Sequence, residues 1–449
     1  VKAVVVGAGV AGAASAIALR RAGAEVTVIE AYEDPAGEVG SYLSLASNGL
    51  RALDALGCAE AVAGRGFEVP RQRMWGASGR LLGDVPRGRR SGDPRNSVTL
   101  MRGHLVEELR AAALRAGAEI VTGRRFEPEG VLVESVSAGG SSAGTASAGG
   151  ALAGKAPRKG SPAGKAPGKG SPAGGPLTEG VFEGADLVVG ADGIWSAVRR
   201  ALDPAAPVPR YGGLYGISGV SEGVPRSAAT EPGTFNMTFA RNGAFVHIVR
   251  PDGTIWWSAQ VADAREPSDI GLERLAELYR SERVPLEIMR ATTGLHRLVL
   301  HHVLAEVPLW QDGRTVLVGD AAHPVGAGQG ASMAIEDAVV LGRALREEIR
   351  TGREGRAGRG AEGRGSGSGS GSGGGARAGV VAAALARYDR ERRVRLTKMA
   401  RAASANRDAK TAGPVGRRMN ELVMPLVLRY FYERATGWLY AEDLSRALD

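Results

Sequence analysis

The segment VKAVVVGAGVAGAASAIALRRAGAEVTVIE, residues 1–30, decides the fold. Its first six residues are a continuous apolar, β-branched run, as expected of a strand buried on both faces of a parallel sheet. Gly7, Gly9 and Gly12 follow in G-x-G-x-x-G spacing. Small and apolar residues from Ala13 to Leu19 then predict a helix, and Glu25 to Ile29 a second strand ending on Glu30. Strand, glycine loop, helix, strand and acid, in that order, make a dinucleotide-binding βαβ unit. Gly7 makes the tight turn, Gly9 lets backbone approach a pyrophosphate, and Gly12 lets helix and strand pack closely. Val10 and Ala11 begin the helix, whose free N–H groups favour an anion. Glu30, followed by Ala31, is placed to accept hydrogen bonds from a ribose 2′-OH and would repel a 2′-phosphate.

Two more strand ends carry an acid. An apolar run from Ala185 reaches Asp192-Gly193, with Ser196 and Arg199 after it on a helical start. The other is VLVGDAAHPVGAGQGASMAIEDAVVLGRAL at 316–345: a strand, Gly319-Asp320, a loop through Gly326 and Gly328, and a long amphipathic helix from Gly330. Only one dinucleotide fingerprint exists for three acid-bearing strand ends. That suits a single long cofactor, its pyrophosphate on the first helix and its remainder laid towards the last. Flavin adenine dinucleotide (FAD) has that shape. Asp320 could accept from ribityl or ribose hydroxyls, and the amides of Gly330 and Ala331 would face the flavin N1–C2=O edge. Arg102 sits at a strand-to-helix junction, where it is either a phosphate or ribityl contact or a solvated arginine.

Between these segments the chain changes character. Residues 71–86 predict a hairpin, and 205–310 a mostly antiparallel sheet with turns such as Pro251-Asp252-Gly253. The expected organisation is α/β: a Rossmann-like FAD-binding domain in three segments (1–70, 98–203 and 311–350), with an inserted β-sheet substrate domain. That second domain takes 204–310 and the 71–97 hairpin, and C-terminal helices follow over 379–449. Residues 136–178 and 351–378 are low-complexity tracts whose composition cannot bury a core. The first is expected to expand the turn of a hairpin with arms at 130–136 and 180–182. Five Lys or Arg without an acid in 136–178, and five Arg with two Glu in 351–378, account for +8 of the net charge of +9. The basic balance therefore belongs to the tracts, and no nucleic-acid partner is expected of the folded body.

The motifs GAGVAG, GADGIWSAVRR and GDAAHPVGAGQGASMAIEDA occur in that order. Together they resemble the group A FAD-dependent aromatic monooxygenases, typified by para-hydroxybenzoate and salicylate hydroxylases, over most of the chain outside the tracts. The resemblance implies that Gly7, Gly9, Gly12 and Glu30 hold the ADP half, and Arg102 and Asp320 the ribityl–phosphate portion. Pro324 and Gly328 to Ala331, with Gln329 among them, would border the flavin ring. Asp192 and Gly193 are associated in the family with both FAD and pyridine nucleotide. Ser332 stands where many relatives carry Asn, a change expected to act on ring positioning. The implied chemistry is hydride transfer from transient NADH or NADPH, reaction of reduced flavin with O2 to a C4a-hydroperoxide, and oxygen transfer to an electron-rich, aromatic or polycyclic small molecule. Epoxidation or hydroxylation of a non-aromatic ring, and a non-catalytic FAD-binding stabiliser, are the alternatives. The substrate should lie between flavin and sheet, with Arg241, His247, Trp256 and Trp257 as candidate contacts. No catalytic side chain is assigned.

Cys58 is the only cysteine, so no internal disulfide or thiolate metal cage is possible, and the six histidines form no ligand set. No apolar run reaches the length of a bilayer span, and the direct entry into a strand at residue 1 is read as an expectation of no secretory signal. Cytoplasmic location, no membrane partner, and a monomer or homodimer are expected.

Overall fold

The computed structural model describes all residues except 35–41, 128–131, 135–181, 226, 228–230, 326–327, 363–371 and 411–413. The tract 136–178 thus lies outside the described residues, as do Gly326 and Ala327.

Strand Lys2–Val6 is the centre of a five-stranded parallel sheet. Glu25–Ile29 and Glu119–Val121 lie on one side of it, Leu187–Gly190 and Thr315–Leu317 on the other. Val4 pairs with Thr27 on one side and with Val188 on the other. The order of strands reverses beside Lys2–Val6, which opens a crevice at the carboxyl ends of the strands. The β-branched runs anticipated for this sheet are buried on both faces, Val4, Val5, Val188 and Val316 among them. Helix Val10–Arg21 returns across the sheet against the long helix Gly330–Glu362. Their approach depends on Gly342, where a Cβ would stand 2.7 Å from that of Ala18.

The second sheet has eight strands. Arg210–Ser221, Ile255–Ala262, Gly243–Val249 and Thr234–Ala240 form its antiparallel middle. The hairpin Arg71–Trp75 and Leu81–Pro86 extends it, through a parallel pairing with Thr234–Ala240. Helices Leu272–Leu278 and Arg283–Arg290 cover one face, burying Phe245, Trp257, Leu275, Tyr279 and Met289 together. The other face turns towards the parallel sheet and the C-terminal helices.

Two expectations change. Strand Leu132–Glu134 pairs antiparallel with Arg124–Phe126, and Phe182 is a turn residue whose ring packs on Phe126 at 5.3 Å. Closing a hairpin across a few residues costs less chain entropy than closing it across the whole tract. The second tract is helical at both ends: Gly330–Glu362 runs into it and Ser372–Lys410 begins inside it. Residues 351–362 contain four Gly among Arg, Ala and Glu, yet elongating a helix already nucleated against the core is far easier than starting one. Helix Pro414–Tyr430 and the short Tyr432–Thr436 then bring the chain end back over the second sheet, where Leu428 packs on Leu82 and Val85.

Candidate functional site

At the end of Lys2–Val6 the backbone turns at Gly7, with φ of 100°. A Cβ on Gly12 would sit 1.8 Å from the Gly7 carbonyl oxygen, so the turn and the helix touch backbone to backbone. Gly9 faces open space, with nothing within 4 Å of the place a Cβ would take. Helix Val10–Arg21 has no side-chain cap and no acid in its first turn. Its first N–H groups are therefore left for a ligand, and negative charge is favoured there. Glu30 closes the far side. Its two oxygens accept from the Ala8 amide (2.7 Å) and the Tyr32 amide (2.9 Å), which fixes the carboxylate at the strand end next to Ala31.

The opposite wall is the loop after Thr315–Leu317. Asp320 turns its carboxylate to the cavity, where desolvation raises its pKa against the pull of His323 and Arg102. Gly330, which opens the long helix, would place a Cβ 3.9 Å from that carboxylate. Sequence reasoning missed what holds this loop. Asp337, fully buried about two turns further into the helix, accepts from the Gly319 amide (2.8 Å) and meets His323 Nε2 at 2.6 Å. Its other oxygen accepts from Arg392 Nε at 2.7 Å, and Arg392 also donates to Glu336 (2.8 Å). Burial pushes both carboxyls up, yet His323 and Arg392 for Asp337, and Arg392 and Arg395 for Glu336, hold them below the ordinary value. The signal was available: Glu336 and Asp337 are adjacent acids inside an otherwise apolar stretch of helix.

A cavity of about 710 Å³ joins these walls. Gly9, Val10, Ala11, Arg102 and Gly193 line it from one side, and Asp320, Gly328, Gln329, Gly330 and Ala331 from the other. Asp192 does not line it. Its Oδ2 accepts from the amides of Ala197 (2.7 Å) and Val198 (3.1 Å), capping helix Ala197–Leu202, so Gly193 is the member of the pair at the cavity. Arg199 ties the same turn to the third motif by donating to the Ala321 carbonyl at 2.8 Å. Ser332 is buried against Gly49 and Pro324 is half-buried, and neither is among the lining residues.

The remaining wall is the sheet face, and here the substrate candidates are corrected. None of Arg241, His247, Trp256 and Trp257 lines the cavity. Successive side chains of a strand point to opposite faces. Trp257 is buried on the helix-covered face, stacked on Phe245 at 5.6 Å, and His247 lies on that face too. Trp256 shares the cavity-side alternation but stacks on Tyr42 at 5.6 Å, beyond the edge of the cavity. The Arg241 amide donates to Glu282 in the turn between strands. Ser258 and Gln260 take the cavity positions of that strand, with Met237, Phe239 and Val246 beside them on neighbouring strands. Leu428, Tyr432, Trp438 and Tyr440 close the cavity from the C-terminal region.

The residues present fit FAD. The uncapped helix start and the open space at Gly9 leave room for a pyrophosphate, Glu30 ends the adjoining strand beside that turn, and a cleft leads past Asp320 to the start of the second helix. Comparison with known proteins agrees. Residues 5–69 match an NAD(P)-binding Rossmann-like domain and residues 184–358 an FAD binding domain. The chain is 30% identical over 358 residues to aurachin C monooxygenase/isomerase of Stigmatella aurantiaca, covering 76% of this chain and 79% of that protein. This chain belongs to the FAD-dependent aromatic monooxygenase family. It is also 28% identical to 3-hydroxybenzoate 6-hydroxylase 1 of Aquipseudomonas alcaligenes, over 77% of this chain and 80% of that one. In fold it is similar to Klebsiella pneumoniae HpxO complexed with FAD and uric acid (TM-score 0.67, 18% identity, 99% and 97% covered). A salicylate hydroxylase substrate complex is comparable (TM-score 0.67, 17% identity, 100% and 98% covered). The flavin monooxygenase is thus an FAD-dependent hydroxylase using a nicotinamide nucleotide. Among the described residues, no helix is long and apolar enough to cross a membrane and no cluster of metal-ligating side chains occurs.

Proposed function

We propose that this monooxygenase hydroxylates an electron-rich aromatic molecule held between Gln329–Ala331 and the Met237, Phe239 and Val246 face of the second sheet. The observation that carries this is the continuity of one cavity from the dinucleotide turn to that apolar face. Bound FAD supplies the redox chemistry, taking hydride from NAD(P)H and activating O2. The chain supplies position and dryness. The helix start at Gly9–Gly12 holds the pyrophosphate and Glu30 the adenosine ribose. Arg102 and Asp320 hold the ribityl–phosphate portion, and the amides from Gln329 to Ala331 face the electron-rich edge of the ring. The apolar sheet face and Leu428 exclude water from the substrate, which protects the reactive stage from side reactions.

The purified protein should be yellow and should oxidise NADH or NADPH faster when a matching phenol, polycyclic quinol or indole is added, with one oxygen atom gained by that compound. A colourless protein that releases no flavin on denaturation would sink the reading. Asp320→Ala should weaken FAD retention about ten- to a hundred-fold, the loss of charge-assisted bonds worth about 1.5–3 kcal/mol. Equilibrium dialysis against FAD measures it, and unchanged retention would remove Asp320 from the cofactor site.

A further inference from the structure

Helix Pro414–Tyr430 is apolar on two sides. Its inward side carries Met424 and Leu428, which line the cavity, and Leu428 also packs on the strand Leu81–Pro86. Its outward side carries Met419, Leu422, Val423, Leu426, Val427 and Tyr430, all exposed. They recur at i, i+3, i+4, i+7, i+8 and i+11, so they form one continuous stripe. Leu422 is 67% exposed, Leu426 59% and Tyr430 62%, and Phe431 prolongs the stripe just past the helix end at 54%. Exposed apolar side chains scattered singly are ordinary, whereas a contiguous run of large ones marks a contact surface.

The charges around the stripe are sorted by sign. Arg418 and Arg429 are exposed and, about three turns apart, share one border of it. Glu421, the one acid in the helix, points the other way. It lies against Gly76 in the hairpin turn, where a Cβ would meet its Oε1 at 2.5 Å. Glu433, in the short helix that follows, is tied to the Ser91 amide at 3.0 Å. An apolar stripe bordered by arginine complements a surface that is anionic on top and apolar beneath, as the interface of a bilayer with anionic phospholipid is. A second copy of the chain fits less well. In a two-fold dimer the facing surface would be this same face, whose helix offers the arginines no carboxylate. The tract 136–178 brings five more Lys or Arg and no acid, so it offers no complement either.

We propose that this helix face docks the enzyme on an anionic phospholipid surface. The helix lies in the headgroup plane, with Leu422, Leu426, Tyr430 and Phe431 inserted and Arg418 and Arg429 at lipid phosphates. The expectation of no membrane partner rested on the lack of a spanning run, and a helix lying in the interface needs none. Met424 and Leu428 line the cavity from the same helix, so docking sets one cavity wall about a helix diameter, roughly 10 Å, from the lipid.

The test is flotation of the FAD-loaded full chain with vesicles of phosphatidylcholine alone, or of equal parts phosphatidylcholine and phosphatidylglycerol. Partition onto the mixed vesicles should be at least about tenfold higher, and raised salt should erase most of that difference. Leu422→Ser combined with Leu426→Ser should lower partition onto the mixed vesicles at least about tenfold, through lost insertion. Arg418→Gln combined with Arg429→Gln should bring the mixed vesicles to within about threefold of the neutral ones. Flavin content and thermal midpoint should stay parental in both, because all four side chains are exposed. Should a double variant fail to fold, the comparison of the two vesicle types with the unaltered protein still decides. No partition onto the mixed vesicles, equal partition onto both kinds, or full partition retained by either folded double variant overturns the proposal. A chain that is dimeric by light scattering, turns monomeric with Leu422→Ser and Leu426→Ser, and leaves vesicles unbound also overturns it, by showing that a second copy covers the stripe.

Discussion

Asp337→Ala should lower the unfolding free energy by about 3–5 kcal/mol and should empty the cofactor site along with it. The size follows from what one carboxylate does. Fully buried, it neutralises Arg392 through Oδ1 and holds the Gly319 amide and His323 through Oδ2. Removing it leaves a buried N–H and part of a buried guanidinium charge without acceptors, and both terms are destabilising. Glu336 continues to pair with Arg392 and Arg395, which keeps the effect from growing further. The loop released is the one that presents Asp320, so FAD retention should fall even at a temperature where the protein is folded. Urea unfolding and flavin content per chain measure the two effects; a change below about 1 kcal/mol would show that the network is not what holds the loop. Acid should erase the difference. The folded-state pKa of Asp337 is held below its unfolded value. Its contribution is therefore complete above the ordinary carboxylate range and lost as pH falls through the folded-state value. The gap between the parent and Asp337→Ala should close on that limb and remain flat through neutrality.

The cofactor half of the cleft was legible from sequence because it is built from short contiguous segments. Each is a strand, a glycine turn and a helix start, so the local pattern places Gly9 and Asp320 just past the ends of parallel strands and Gly330 at the start of the helix that follows the second. The substrate half is built from alternation across eight strands and from the returning C-terminal region, which no local pattern specifies. Trp256 and Trp257 drew attention as large residues at adjacent positions, yet Trp257 is buried against the covering helices and Trp256 stacks on Tyr42, which leaves the smaller Ser258 and Gln260 at the cavity. Asp192 shows the converse: the motif was read correctly as a feature, while the carboxylate itself turned out to face a helix start.

Two glycines in one turn should fail in opposite ways. Gly9→Val should leave the stability of the FAD-free protein within about 1 kcal/mol of the parent, because Gly9 has extended backbone (φ −74°, ψ −165°) and its Cβ position meets nothing within 4 Å. The same empty space is where a pyrophosphate must approach the helix start, so a branched side chain there should abolish measurable FAD binding. Gly12→Val should damage the fold itself. Its Cβ position is 1.8 Å from the Gly7 carbonyl oxygen, and Gly7, at φ of 100° and 2.6 Å from the Ala191 oxygen at its own Cβ position, has no room to yield. Overpacking of this kind costs about 1–3 kcal/mol where neighbours can shift and more where they are backbone. Thermal melts of both variants without flavin, followed by FAD titration, separate the two mechanisms. A Gly9→Val protein that still binds FAD at parental affinity would place the pyrophosphate elsewhere; a Gly12→Val protein with a parental melt would mean that the turn and helix are less tightly joined than the distances require.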